Sequence, residues 1–298
     1  MPEAIRLLLD WKLDAKHALF LEGRRSGAYR ARGIEVELLE PAAKSIEALA
    51  GLQQGAAELA INYPHNLMLC RDELPSLISV AALVKRNPEG LLSLAARPVR
   101  TPGELPGRTV GIGPSPVSRA QFEVFCLANR LDRDSIRVRT VGFEGEELLL
   151  AGEIDVLDAV AYAIARTRRK GHEVAFVPYA RFGIPDSPFL VFAARREWAE
   201  SRRAALESFL EASGEAFTRV CAWGDSDWQA YTAAIPGREA EEERQVWEAT
   251  EPLIRGEGRL FEQDLEALAG LHRILREKEL LLRDLQLAEI FTNRYVPG

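Results

Sequence analysis

Three short stretches concentrate the side chains able to do chemistry. Asp10-Trp11-Lys12-Leu13-Asp14-Ala15-Lys16-His17 directly follows the apolar run at 5–9 and brings carboxylates, amines, an indole and an imidazole together. Asn62-Tyr63-Pro64-His65-Asn66 follows a second apolar run ending at Ile61. Gly113-Pro114-Ser115-Pro116-Val117-Ser118 follows a third, and its serines stand where a helix begins. A carboxylate accepts N–H donors, and an aromatic ring offers a stacking face. Free amides at a helix start receive a carbonyl oxygen or weak anion. Together they suit a flat, polar small molecule. Asp10, Trp11, His17, Asn62, Tyr63, His65, Gly113, Ser115 and Ser118 are therefore the candidate ligand contacts. Six of them have a plainer reading as well: Ser115 or Ser118 as a helix N-cap, Trp11 and Tyr63 as core, His17 and His65 as satisfied histidines at helix starts.

Other chemistries are excluded by pattern. The four histidines (His17, His65, His172, His272) form neither HxxxH nor HExxH, so no metal site is expected. There is no GxSxG, no GxxxxGK and no GxGxxG, and Gly111-Ile112-Gly113 alone makes no dinucleotide fingerprint. No cofactor is expected. Cys70, Cys126 and Cys221 are widely spaced and odd in number, which reads as buried small hydrophobes rather than a disulfide framework.

Composition narrows the class further. Of 298 residues 47% are hydrophobic and 28% charged, which is ordinary globular usage. Lys and Arg total 38 against 45 Asp and Glu, a net charge of −7 that argues against a nucleic-acid partner. No apolar run reaches the ~18 residues of a membrane span. The apolar run near Met1 is too short for a leader peptide's core and lacks a small-residue cleavage site. The expectation is thus an exported protein whose leader was removed, periplasmic or held outside the cell at the membrane, or otherwise a cytoplasmic one.

The elements that must position these residues follow a strand–helix rhythm. Strands are expected at 5–9, 34–39, 57–61 and 77–83, with helices at 17–32, 45–54 and from about 66, so parallel strands with right-handed crossovers. A second series follows, with strands at 91–96, 109–112, 136–141, 156–161 (a strand or sheet edge) and 174–178. Helices fall at 119–129 and 144–151. A strand at 189–194 returns, and the rest is helical, with Leu206, Phe209, Leu210, Phe217, Val220 and Cys221 on one face. The acidic run 239–243 reads as a solvated helix face. This order predicts an α/β chain of two lobes: lobe one at 1–84 and 190–298, lobe two at 96–182, with hinge crossings at 85–95 and 183–189. A ligand cleft is expected between them.

The stretch IRLLLDWKLDAKHALFLEGRRSGAYRARGIEVELLEP resembles the start of solute-binding proteins that share a fold with the thiamine-pyrimidine synthase of yeasts. Asp10, Trp11, His17, Gly27, Tyr29, Gly33, Ile34, Val36 and Glu37 match that family's pattern, while Leu13 replaces its usual proline. RTVGIGPSPVSRAQF, LLAGEIDVLDAV, FGIPDSPFLVFAARREWAE and EIFTNRYV extend the resemblance to about residue 296. It implies a type II periplasmic-binding-protein fold and a small-molecule ligand, such as a pyrimidine precursor of thiamine or a sulfonate, delivered to an ABC transporter permease. It also implies further ligand contacts near the strand at 156–161, where this chain offers Asp158 and Tyr162 in place of the aromatic pair and glutamate of pyrimidine-precursor binders. The synthase branch carries a reactive lysine and a histidine four residues later; here Asn62 and Asn66 stand at those positions, and Asn forms no Schiff base. The expectation is a solute-binding protein and not an enzyme. A small biosynthetic enzyme on the same fold, pyrimidine-synthase-like or menaquinone-pathway-like, and a cytoplasmic ligand sensor are the rivals.

Overall fold

The computed structural model describes residues 2–41, 45–142 and 144–298. In chain order the first series is β1 (Glu3–Leu8), α1 (Ala18–Arg25), β2 (Ile34–Leu39), α2 (Ser45–Gln53), β3 (Leu59–Asn62), α3 (Pro64–Leu69) and β4 (Leu77–Val84). The second is β5 (Glu89–Leu94), β6 (Thr109–Ile112), α4 (Pro116–Ala128), β7 (Arg137–Thr140), α5 (Gly145–Leu150), β8 (Val156–Val160), α6 (Ala163–Arg169) and β9 (Val174–Pro178). The chain ends with β10 (Leu190–Arg195), α7 (Arg196–Ser201), α8 (Arg203–Val220), α9 (Asp225–Ala233), α10 (Ala240–Arg255) and α11 (Leu265–Glu277).

Two compact units result. The first is Met1–Arg86, Pro188–Leu268 and Leu285–Gly298; the second is Asn87–Ser187 and Ala269–Asp284. Each holds one five-stranded sheet, ordered β2-β1-β3-β10-β4 and β7-β6-β8-β5-β9. The expected parallel pairing covers β1 with β2 and β3, and β6 with β7 and β8. One strand per sheet departs from it: β10 runs antiparallel to β3 and β4, and β5 antiparallel to β8 and β9. Each is the first strand after the chain passes from one unit to the other, so no crossover helix precedes it to reverse its direction. Consequently β5 belongs within the second sheet rather than to a crossing at 85–95, and β8 is an interior strand rather than an edge.

Residues 269–284 were expected in lobe one and lie in the second unit instead. Ile274 packs into the core with Phe122, Phe125 and Tyr179, and Lys278 Nζ reaches Glu123 Oε2 at 3.1 Å. An apolar helix face shows that it must be buried but not in which core.

The eight residues of β4 are all buried although β4 ends its sheet. The C-terminal segment covers that edge: Ser79 N–H donates to Ile290 O at 2.7 Å, and Thr292 N–H to Ser79 O at 3.1 Å. An uncovered edge would template pairing with another chain. Asn293 then clasps Gln263, accepting its N–H at 2.8 Å and donating back to its carbonyl at 2.9 Å. The cysteines divide: Cys126 is buried, Cys70 half-buried, and Cys221 exposed near Glu251 and Arg255, against the expectation that all three are buried. Cys221 follows the last turn of α8, beyond the face that Phe217 and Val220 bury.

Candidate functional site

The first unit gathers its polar groups at the carboxyl ends of β1 and β3, where open α/β sheets hold ligands. Ile5, Leu7 and Leu9 alternate into the core, and the chain leaves the sheet at Asp10. Asp14 caps a single 3-10 turn, Ala15–His17, accepting the Lys16 N–H at 3.2 Å, while its own N–H donates to His17 Nδ1 at 3.2 Å. With Nδ1 accepting, Nε2 carries the proton and donates to Asp10 Oδ1 at 2.9 Å. A proton on Nδ1 would turn that bond to Asp14 Oδ1, also 3.2 Å away.

Lys16 completes the cluster. Its ammonium lies 2.7 Å from Asp14 Oδ2 and 3.4 Å from Asp10 Oδ2, and the residue is only 4% exposed. Burial pushes both carboxyls up, but Lys16 and His17 more than offset it and hold both below the ordinary carboxylate range. Burial opposes the charge on Lys16, yet Asp10, Asp14 and the nearby Tyr63 hydroxyl keep it well above the usual lysine value. For His17, burial and Lys16 oppose the charged ring, Asp14 and Asp10 favour it, and the balance is upward.

Two helices close over this turn. Tyr231 of α9 donates to the Asp14 carbonyl at 2.6 Å. Glu243 of α10 is 1% exposed, with Oε1 3.1 Å from Arg238 Nη1 and Oε2 lacking a hydrogen-bond partner. Burial raises its carboxyl to about 7 against the opposing pull of Arg238. The acidic run 239–243 is therefore not wholly a solvated face. Glu243 shares the spacing of Val246, Trp247, Thr250 and Ile254, and that face is buried.

Asn62, at the end of β3, is fully buried. Its Oδ1 accepts the Tyr63 N–H and the Asn66 Nδ2–H, both at 2.9 Å, which fixes the start of α3. Tyr63 stacks on His65 (5.2 Å, 17°) and meets Phe189 edge-on (5.2 Å, 80°). Burial lowers His65 to about 4, so the ring is neutral near pH 7. Trp11 is 49% exposed, an unusual cost for an indole that serves only packing. The structure thus brings Asp10, His17, Asn62 and Tyr63 to one end of the sheet. His17 is fully buried and acts by holding Asp10.

The second unit repeats the arrangement at the end of β8. In register, Glu89 faces Val160 and Leu91 faces both Asp158 and Val177. Alternate residues share a face, so Glu89 and Asp158 stand together on the face where Leu91 is buried. Gly90 lets β9 approach: a Cβ there would sit 2.4 Å from the Val177 carbonyl oxygen. Burial raises Glu89 to about 7 against hydrogen bonds from Gln121 and Asn87. Burial and Glu89 together hold Asp158 well above the carboxylate range, with Tyr179 opposing.

The serine segment behaves more plainly. Ser115 caps α4, accepting the Val117 N–H at 3.2 Å, and Ser118 lies half-buried in its first turn. Gly113 has negative φ and open space where a Cβ would go, so its backbone does not require glycine. Tyr162 immediately precedes α6. Sequence reasoning missed Glu89, Tyr179 and Gln121. The available signal was Glu89 heading an otherwise uncharged strand. Among the described residues no group of His, Cys, Asp and Glu could hold a metal ion, and no helix is long and apolar enough to cross a membrane.

Known proteins resemble the chain as follows. The family model described as NMT1/THI5 like matches residues 14–222. A formylaminopyrimidine-binding protein of Halalkalibacterium halodurans is 23% identical over 213 residues, 71% of this chain but only 64% of the relative's length. A Haemophilus influenzae protein named for thiamine biosynthesis is 22% identical over 294 residues, 96% of this chain and 91% of its own. Among solved structures, the periplasmic aliphatic sulphonate binding protein SsuA of Escherichia coli superposes with a TM-score of 0.77 at 16% identity, covering 99% of each chain. The fold is therefore the two-lobed α/β fold of periplasmic binding proteins.

Proposed function

The chain belongs to the NMT1/THI5-like family, and from that premise we propose that it is a solute-binding protein, not an enzyme. It captures a small, flat, heteroaromatic or amide-bearing ligand and delivers it to an ABC transporter permease, which places it outside the cytoplasmic membrane. The observation that carries this reading is the state of the reactive positions. Asn62 and Asn66 are bonded to each other, and the nearby Lys16 is buried, doubly ion-paired and held protonated. A protonated amine is no nucleophile. What remains is binding chemistry: stacking faces at Trp11 and Tyr63, polar edges at Asp10 and Asn62 in the first unit, and Asp158, Ser115, Ser118 and Tyr162 in the second.

The name of the Halalkalibacterium relative supports an aminopyrimidine-like ligand, and the acceptor-only Asp10 carboxylate of the first unit suits N–H donors better than a sulfonate. Titration calorimetry with a panel of pyrimidines, amides and sulfonates tests it. Binding of a pyrimidine or amide, weakened about tenfold by Trp11→Ala without loss of folding, is the expected result; a tenfold loss is ~1.4 kcal/mol, within the usual worth of an aromatic stack. A parent protein that binds only sulfonates, or a Trp11→Ala variant that binds as tightly as the parent, overturns the ligand assignment. Catalytic turnover of a bound pyrimidine overturns the whole reading.

A further inference from the structure

Two carboxyls on adjacent strands of the second unit have no cation facing them among the described residues. Glu89 and Asp158 share a sheet face, as the register of β5 and β8 requires. The groups around them are neutral: Asn87 beside Glu89, Gln121 of α4, 5% exposed, and Tyr179, 1% exposed, after β9. The Cys126 thiol lies beyond Tyr179. The Tyr179 hydroxyl is the second observation. It is turned toward the Asp158 carboxyl, yet buried without a hydrogen bond of ordinary geometry. A buried hydroxyl left unpaired costs roughly 1–3 kcal/mol. Two half-buried carboxyls placed together without a counter-ion add to that cost. Packing gives no return for either, since Leu91 and Val177 fill the core beside them.

We propose that Glu89, Asp158 and Tyr179 form the recognition site for a planar cation presenting two N–H donors, an amidinium or protonated aminopyrimidine. This deepens the reading above and rests on it. Before binding, the pair keeps one proton, because two adjacent carboxylates resist joint ionisation. A ligand cation replaces that proton, which leaves to solvent, and each carboxylate then accepts one N–H. Tyr179 donates to the Asp158 oxygen that remains free.

The test uses benzamidine and its neutral isostere benzamide, titrated calorimetrically into the parent, Glu89→Gln and Asp158→Asn. At pH 6.5, buffers of different ionisation enthalpy count protons. The expected results are benzamidine bound at least tenfold more tightly than benzamide, proton release on binding to the parent, and a tenfold or greater loss in either variant. Both variants should unfold at the same or a higher temperature, which a merely structural role would not produce. Equal binding of benzamide and benzamidine, or parent-like binding by both variants, overturns the inference and leaves the solute-binding reading intact. Failure of the parent to bind benzamidine overturns it too, while the broader panel with Trp11→Ala judges that reading separately.

Discussion

Lys16→Met removes the ammonium that pairs with Asp10 and Asp14 in the cluster they form with His17, while keeping the stem's length. At an effective dielectric of about 20, the attraction is ~6 kcal/mol at 2.7 Å to Asp14 and ~5 kcal/mol at 3.4 Å to Asp10. Most of that offsets the cost of taking three charges out of water. The measurable loss on deleting one partner is the cost of stranding the others, about 3–5 kcal/mol. The five tryptophans, Trp11, Trp198, Trp223, Trp228 and Trp247, all lie in the first unit, so their fluorescence reports its unfolding selectively. With a urea slope of ~2 kcal/mol/M the midpoint should fall by about 1.5–2.5 M at pH 7. The pH dependence carries a definite sign. Asp10 and Asp14 titrate below their unfolded value of ~3.9, so their stabilisation is present above that pH and is lost as pH falls through the folded values. Without Lys16 both carboxyls titrate higher, and protonation relieves the stranded charge, so the variant's penalty should shrink below about pH 4. A midpoint shift under ~0.5 M at pH 7, or a penalty that grows at pH 3.5, refutes the buried ion cluster as a source of stability.

Tyr231→Phe deletes the bond to the Asp14 carbonyl and should cost about 1 kcal/mol by the same fluorescence assay, with no change expected if that contact is absent. Glu243 is raised to about 7 from ~4.3, so its contribution falls as pH rises through that window. Glu243→Gln should flatten the first unit's stability between those pH values, and an unchanged slope counts against the burial of that carboxyl. Ser115→Ala removes the α4 cap and should cost about 1 kcal/mol in the second unit, followed by circular dichroism because no tryptophan lies there. Incubation with pyridoxal phosphate followed by borohydride should leave Lys16 unmodified on peptide mapping; an adduct mapped to Lys16 would contradict its ion-paired state.

Much of this protein was legible in its sequence because local pattern determines local structure. The alternation of Ile34, Val36 and Leu38 made β2, and the periodic apolar face of Leu206, Phe209, Leu210 and Phe217 made α8. The polar residues after β1 and β3 stood out because strand ends are where a sheet releases its chain. The family pattern added the fold, since its matched positions recur along nearly the whole chain. Tertiary structure alone decided pairing and company. Strand direction is absent from a hydrophobic pattern, so the antiparallel β5 and β10 read like their parallel neighbours. The register between β5 and β8 set Glu89 beside Asp158, though 69 positions separate them in the chain. Packing against α9 and α10 turned His17 from a candidate ligand contact into the buried support of Asp10, with Lys16 beside it. It also took Glu243 out of a run of acids that reads as solvent-facing. Period and composition specify which face must be buried, but the partner that buries it is chosen by the whole chain, and only that choice tells a binding carboxylate from a structural one.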